Sequence, residues 1–301
     1  MGEFILQLTN GLAVGGVYAL IALGYTMVYG VLRLINFAHG DLFIMGGYLG
    51  LTLLASVGLA GTLGLASGIA LVLLMVMGLV AVSGFLLERV AYRPLRQAHR
   101  LTAVVSALGA SIFLQNALML VYGASPKSYP EMLSITASVA FMGIHIPVMR
   151  LMLVLVTVLL MLVLYWFIQK TKTGTAIRAV AIDQGAAKLM GINVNRIISM
   201  VFVIGPALGG AAGLLLGLYY GKVHYVMGSM YGLKAFTAAI IGGIGNIPGA
   251  MLGGVLLGVA EALGAGYISS GWKDAFAFMV LILILILRPN GILGERVADK
   301  I

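Results

Sequence analysis

The amino-acid sequence predicts an all-α membrane protein with about eight transmembrane helices and one or two broken or re-entrant segments. Of the 301 residues, 61% are hydrophobic and only 9% are charged, whereas a soluble domain carries about 25% charged residues. A surface with so few charges cannot face water over most of its area, so most of it must face lipid. The apolar runs are continuous and do not alternate as the strands of a membrane barrel do, which favours helices.

Eight apolar stretches supply the predicted helices. A helix that crosses a bilayer needs about 20 mostly apolar residues. The 42 glycines of the chain suit a membrane domain, because glycine allows helices to pack closely. We expect a single transmembrane domain over residues 1–301, with spans at residues 5–32, 42–57, 62–87, 101–122, 146–168, 197–220, 236–266 and 275–288.

Short basic loops predict the orientation. Segments 88–100 and 169–196 carry four and five Lys or Arg residues, against the single acids Glu88 and Asp183. Such loops concentrate on the cytoplasmic side, and the two segments are separated by two spans, so both are predicted to be cytoplasmic. Segment 123–145 then lies outside. We interpret the net charge of +9 as a topology signal rather than a nucleic-acid-binding surface.

The predicted span at 236–266 contains a sequence that interrupts helices. Residues 242–249 read Gly-Gly-Ile-Gly-Asn-Ile-Pro-Gly; glycine loosens a helix and proline lacks a backbone donor. If the first half dips into the membrane and the second half returns, the basic C-terminal tail lies on the cytoplasmic side with the basic loops.

This break supplies three candidate residues for the translocation pathway, Gly245, Asn246 and Pro248. Irregular backbone at membrane depth is tolerated where it lines a cavity, and transporters use broken helices in this way. The alternative is a glycine-rich site where helices pack against each other. The sequence leaves both interpretations open.

An earlier polar interruption, residues 33–41, separates the first two apolar spans. Ionisable residues at membrane depth are costly and usually face a cavity or a partner. Asn36, His39 and Asp41 are therefore further candidates for lining or gating the pathway. The alternative is a tight cytoplasmic turn in which Asp41 caps the next helix.

A weak internal repeat is a further hypothesis. Residues 15–25 and residues 209–219 share two consecutive glycines followed by a leucine and a tyrosine at the same spacing. A polar interruption and a glycine-rich span follow each copy, and transporters often contain internal repeats. Four matches in glycine-rich helices also arise by chance.

The cytoplasmic loop at 169–196 contains a predicted short amphipathic helix. Asp183 is a good N-cap, the residues from Ala186 to Met190 favour helix, and Gly191 is a good helix stop. Such a helix is suited to docking in a groove of a partner protein. A helix that lies on the membrane surface without a partner is the alternative.

No catalytic or metal-binding pattern stands out. The chain lacks a G-x-x-x-x-G-K-[ST] sequence, so it is not expected to hydrolyse ATP. It has no Cys, and its four His residues are scattered without metal-ligand spacing. A transport subunit without a cofactor of its own fits these features better than an enzyme.

The few charges within apolar runs define the alternative function. An ion-coupled secondary transporter of a small polar solute would need intramembrane ionisable residues, and His39, Asp41 and Glu261 are the candidates. Glu261 stands alone in its run and is expected near a membrane face, in contact with solvent. Lys234 is expected at the outer interface, where its long stem reaches water.

Several motifs spread along the chain belong together. They are Tyr18–Gly24, Ile35–Gly40, Arg93–Arg96, Ser106–Asn116, Gly191–Asn193, Lys234–Ala238, Gly242–Ala250 and Arg288–Gly291. In combination they resemble the LivH-type permease subunits of the branched-chain amino acid ABC transporter family. The resemblance extends over nearly the whole chain.

The resemblance implies an ABC importer permease fold and a place in the bacterial inner membrane. The implied function is ATP-driven translocation of Leu, Ile and Val, although related systems carry other amino acids, amides or urea. The implied partners are a LivM-like second permease, two cytoplasmic ATPases that use the ATP, and a periplasmic amino-acid-binding protein.

The resemblance also assigns a role to the cytoplasmic loop. Residues from Gly185 to Gly191 are similar to the ATPase-coupling loop of bacterial ABC importers, usually Glu-Ala-Ala-x-x-x-Gly. Ala186, Ala187 and Gly191 match this pattern, while Gly185 replaces the glutamate. The expected ATPase-coupling residues are these three and the capping residue Asp183.

Overall fold

The computed structural model describes residues 2–56, 65–96, 98–130, 138–141 and 144–294. Eleven α-helices account for most of these residues, which confirms the predicted all-α membrane protein. Short π and 3-10 turns follow α3 and precede α11. The helices are α1 (Gly2–Leu32), α2 (His39–Ser56), α3 (Leu65–Leu87), α4 (Arg100–Tyr122), α5 (Val148–Lys170), α6 (Lys172–Ile182), α7 (Gln184–Leu189), α8 (Val194–Tyr220), α9 (Met227–Gly242), α10 (Ile247–Tyr267) and α11 (Lys273–Leu287).

Four short strands lie in the connections between helices. β1 (Lys127–Ser128) pairs antiparallel with β4 (Lys222–Val223), and β2 (Ser138–Phe141) pairs antiparallel with β3 (Ile144–Pro147). The first pair joins the segment after α4 to the segment after α8. The ends of these two helices therefore lie on one side of the molecule.

Seven helices of the described residues are long and apolar enough to cross a membrane. Their bounds are Gly2–Leu32, Ser67–Leu95, Leu101–Tyr122, Val148–Lys170, Val194–Tyr220, Ile247–Tyr267 and Ser270–Leu287. They correspond to seven of the eight predicted stretches, although the stretch at 62–87 begins outside the described residues. The eighth, 42–57, corresponds to α2, which begins with His39 and Asp41 and is less apolar.

Hydrogen bonds between distant segments define a basic side of the molecule, the side that carries α6 and α7. Gln184 of α7 donates to the carbonyl of Val31 near the end of α1. Arg96, after α3, donates to Asn195 at the start of α8. The two loops predicted to be cytoplasmic therefore share this side, and the β1–β4 pair lies at the opposite end of α8.

The predicted break in 236–266 occurs at residues 243–246, between α9 and α10. Gly243 and Gly245 have φ values of 103° and 96°, a region that is open to glycine but costly for other residues. The backbone of Ile292 donates to the carbonyl of Ile241. The C-terminal segment therefore folds over the break on the basic side, as the orientation of the loops predicted.

The interruption after α1 leads back into the interior. Arg33 adopts a left-handed φ of 55°, and α2 then begins at His39. A Cβ at Gly24 would overlap the His39 ring, so the start of α2 lies beside Gly24 of α1. Gly24 is eight residues, or about 12 Å, before the end of α1. Gly40 packs against Gly228 at the start of α9, so the starts of α2 and α9 meet inside the protein.

The helix neighbours support the hypothesised internal repeat. The pair α1–α10 corresponds to the pair α8–α3, because in each pair the first helix of one triplet packs along the last helix of the other. In the same way, the contact of α2 with α8 corresponds to the contact of α9 with α1. α1 runs toward the basic side and α8 runs away from it. The triplet α1–α2–α3 and the triplet α8–α9–α10 are therefore related as an inverted repeat, an arrangement common in transporters.

Glycines allow α1 and α10 to pack closely along their length. Gly11 and Gly15 of α1 face Gly254 and Gly258 of α10, so each helix presents two glycines four residues apart. A Cβ built on Gly15 would lie 2.9 Å from the backbone Cα of Val255, a contact that side-chain movement cannot relieve. This is the small-residue packing by which membrane helices associate.

We expect the substitution Gly15→Leu to destabilise the fold, because overpacking a tight contact costs typically about 1–3 kcal/mol and occasionally more. Thermal unfolding of the detergent-purified protein measures the effect. Gly78→Leu on α3 is the matched control, since a Cβ there meets nothing within 4 Å. An equal loss of stability in both variants would contradict the packing role.

Candidate functional site

Asn36, His39 and Asp41 lie together at the buried start of α2. Their exposed fractions are 1%, 0% and 2%, so all three side chains are enclosed by protein, and their role in the pathway stays a prediction. The Tyr92 hydroxyl donates to Asn36 Oδ1 at 2.7 Å, and the Ser111 hydroxyl donates to Asp41 Oδ2. Helices from both sides of α2 thus hold the interruption in place.

Several buried polar atoms in this region have no hydrogen-bond partner among the described residues. They include Asn36 Nδ2, Asp41 Oδ1 and the hydroxyl of Thr26. An unsatisfied buried polar atom costs about 1–3 kcal/mol. The protein therefore retains polar groups at a cost to stability, which is typical of functional positions rather than of packing sites.

Gly245, Asn246 and Pro248 lie apart from His39, at the basic side. Asn246 Oδ1 accepts the backbone N–H of Gly249 and caps α10, while its side-chain nitrogen donates to the Leu293 carbonyl at 2.8 Å. Pro248 occupies the first turn of α10, where a missing backbone donor costs nothing. The local chemistry of this segment is that of a capped helix start.

A narrow apolar crevice lies between the two groups of predicted pathway residues. Its lining comes from Tyr25, Tyr29, Ile35, Phe236, Ala239 and Ile244. The Tyr25 ring meets the His39 ring edge-on at 4.8 Å between centroids. Within the described residues this crevice is closed to water. The residues around Asn36 and those around Gly245 therefore border the same crevice, but no open path connects them in the part of the chain that the structure describes.

The predicted coupling helix forms as α7. Asp183 Oδ1 accepts the backbone N–H groups of Gly185 and Ala186 at 2.7 and 3.0 Å. Gly191 ends the segment with a φ of 81°. Ala186 is exposed, whereas Ala187 is buried beneath the helix. Ala187 therefore contributes to the packing of the loop and not to its surface.

Large apolar side chains are exposed at the end of α6 and at the end of α7, on the basic side. Ile182, Leu189 and Met190 are 83%, 90% and 82% exposed. Exposed apolar side chains that cluster on a small helix mark a surface for another protein or a membrane. The Gln184–Val31 hydrogen bond of 2.7 Å connects this surface to the end of α1, immediately before the first interruption.

A group of charges on the side away from α7 was not found by the sequence reasoning. The expected contact of Glu261 and Lys234 with solvent was wrong, since both side chains are buried. We name Lys234, Glu261, Lys273 and Asp274 the charged tetrad. Lys234 Nζ lies 2.9 Å from Glu261 Oε1 and 2.5 Å from Asp274 Oδ1, and Lys273 Nζ lies 3.1 Å from Glu261 Oε1. Both Glu261 and Lys234 are buried, because each neutralises the other away from solvent.

A second missed group lies at the basic side. Glu88 is fully buried and pairs with Arg96, and it also accepts a hydrogen bond of 2.9 Å from the Ser199 hydroxyl of α8. The π-helical turn Glu88–Tyr92 contains both Glu88 and Tyr92, the partner of Asn36. The signal was a single acidic residue in an otherwise basic loop.

We expect Glu261→Gln to destabilise the protein strongly, because it removes the buried carboxylate that both Lys234 and Lys273 contact. Breaking a buried ion pair costs about 3–5 kcal/mol. Asp274→Asn is the control, since its side chain is 51% exposed and such pairs contribute about 0–1 kcal/mol. Thermal unfolding in detergent compares the two, and equal losses would argue against a buried role for Glu261.

Comparison with known proteins identifies the family. Residues 7–285 match the family model described as branched-chain amino acid transport system / permease component. The chain is 46% identical to the high-affinity branched-chain amino acid transport system permease protein BraD of Pseudomonas aeruginosa, covering 99% of this chain and 98% of that protein. It is 43% identical to the corresponding protein LivH of Escherichia coli K12, with the same coverage.

Among solved structures, PsaBC from Streptococcus pneumoniae in complex with Fab aligns over 96% of both chains, with 13% identity and a TM-score of 0.48. The sequence identity of 46% to BraD and 43% to LivH, over nearly the full length of the chain, confirms the resemblance found in the sequence motifs. This chain belongs to the family of permease components of branched-chain amino acid transport systems.

Proposed function

We propose that this multi-pass membrane protein is the permease subunit of an ATP-driven ABC importer that translocates Leu, Ile and Val across the bacterial inner membrane. The observation that carries the proposal is the direct hydrogen bond between the exposed helix α7 and the end of α1. A force applied to α7 from the basic side reaches the first interruption through this contact. The near full-length relatives supply the substrate class.

The partners follow from the same surfaces. The chain has no P-loop sequence, so we propose that two cytoplasmic ATPases bind at α7 and use the ATP, while this chain needs no cofactor. The apolar side chains of Leu189 and Met190 suit a groove on such a partner. A LivM-like second permease and a periplasmic amino-acid-binding protein complete the proposed complex.

The proposed cycle begins with closure of the two ATPases on ATP. Closure moves α7, with Asp183 and Gly191 holding its two ends, and the movement passes through Val31 to residues 33–38. The starts of α2 and α9 then shift relative to each other, and the polar groups of Asn36, His39 and Asp41 change their surroundings. Asn246 and Gly245 lie at the exit on the basic side, where the C-terminal segment covers the break.

Leucine uptake into proteoliposomes tests the function directly. The vesicles contain this chain, the second permease, both ATPases and the binding protein. We expect uptake that requires ATP and disappears when this chain is omitted. Uptake driven by a proton or sodium gradient without ATP would instead support the secondary transporter.

The substitution Gly191→Val tests the coupling loop. Valine at a positive φ is strained by about 1–3 kcal/mol, which lowers the fraction of correctly shaped loop. Since 1.36 kcal/mol corresponds to a tenfold change, we expect uptake to fall about tenfold or more while the complex still hydrolyses ATP. The measurement is the ratio of leucine imported to ATP hydrolysed.

Gly123→Val is the matched control for that substitution. Gly123 also has a positive φ, of 88°, and a Cβ there meets nothing within 4 Å, as at Gly191. It lies after α4, on the side opposite α7, so the same backbone strain should leave the coupling ratio unchanged. An unchanged ratio in Gly191→Val would remove the coupling role from this loop.

A further inference from the structure

A polar cavity lies between α1, α10 and the start of α11, on the side opposite α7. Its volume is about 290 Å³. Gln7, Asn10, Glu261 and Lys273 contribute polar groups to its lining. An importer receives its cargo on the side away from the ATPases, so under the proposed function the cavity lies on the side where substrate arrives.

The charges at the base of the cavity are balanced. The charged tetrad contains two ammonium and two carboxylate groups, and the Lys273–Glu261 pair borders the cavity at 3.1 Å. A ligand with a single net charge would disturb this balance beside the buried side chains of Glu261 and Lys234, which is costly. A ligand that carries one positive and one negative group preserves it.

The side chains of Glu261 and Lys273 differ in how freely they can move. Glu261 is buried and keeps Lys234 and the Tyr18 hydroxyl as partners, at 2.9 and 2.8 Å. The Lys273 side chain is 33% exposed and also donates to the Tyr220 hydroxyl at 3.2 Å, and its flexible stem allows its ammonium group to move. Lys273 can therefore turn from Glu261 toward a ligand carboxylate, while Glu261 accepts the ligand ammonium without losing its other partners.

The rest of the lining suits a small aliphatic side chain. Val14, Ala262 and Ala265 form an apolar part of the wall. Since a water-sized group needs about 10–15 Å³ of cavity volume, the cavity has room for a free amino acid of the size of leucine. Asn10 Oδ1 accepts the Tyr219 hydroxyl, which leaves the side-chain nitrogen of Asn10 as a donor for a carboxylate.

We propose that this cavity is a binding site for a zwitterionic aliphatic amino acid. Lys273 binds the carboxylate, Glu261 binds the ammonium group, and the apolar wall of Val14, Ala262 and Ala265 contacts the side chain. The proposal rests on the proposed function and deepens it, because it assigns substrate recognition to the permease as well as to the binding protein. It also gives the charged tetrad a role beyond stability.

Thiol protection tests the site, because the chain has no Cys of its own. Ala265→Cys is introduced into the assembled complex in lipid nanodiscs, without the binding protein, and the rate of its reaction with N-ethylmaleimide is followed by mass spectrometry of this chain. We expect saturating L-leucine to slow the reaction at least fivefold. 4-Methylpentanoate, which lacks the ammonium group, and 3-methylbutylamine, which lacks the carboxylate, should give little protection.

Two controls make the result specific. Ile268→Cys lies near the cavity but outside its lining and is 74% exposed, so leucine should not change its reaction rate. In the Ala265→Cys background, Lys273→Arg should retain protection and Lys273→Met should lose it. The ligand series needs no change in the charged tetrad, so it decides the question even if Lys273→Met fails to assemble.

The outcomes separate this proposal from the proposed function. Absence of protection by leucine, or equal protection by all three compounds, would overturn the amino-acid site. ATP-dependent uptake by the unsubstituted complex under either result would leave the importer standing. Specific protection by leucine without ATP-dependent uptake would support the site and overturn the importer.

Discussion

A break in a membrane helix frees backbone N–H and C=O groups that lipid cannot satisfy, so each break must be enclosed by protein or lie at an aqueous surface. The long helices α1 and α8 meet this constraint by crossing in opposite directions around the starts of α2 and α9. Glycine makes the enclosure close enough, as where Gly40 meets Gly228. The burial of His39 and Asp41 follows from this enclosure, since both belong to the first turn of α2.

Local features could be predicted from the sequence because they depend on short-range chemistry. The cap at Asp183, the glycine stop at Gly191 and the break at 243–246 each follow from the conformations that the residues there allow. The depth of His39 could not be predicted in this way, because a polar run reads the same in a surface turn and in a segment that re-enters the membrane. Only the packing of α8 and α9 around it decides between them.

The pairing of Lys234 with Glu261 required tertiary information. The two residues are 27 positions apart, each alone in an apolar setting, and hydropathy treats each as a group that must reach water. Opposite charges on the two arms of a predicted hairpin were the signal that could have found the pair. Lys273 and Asp274 join them only because α11 packs on α10, which no local pattern contains.

α1 joins the two ends of the molecule. Its Tyr18 hydroxyl donates to Glu261, and its Val31 carbonyl accepts from Gln184, 13 residues or about 20 Å further along the helix. The hydrogen bond to Glu261 ties the middle of α1 to the charged tetrad, while Gln184 of α7 contacts α1 near its end. Under the proposed function, a displacement of α7 therefore acts on residues 33–38, where Arg33 adopts a left-handed conformation and the chain leaves the helix.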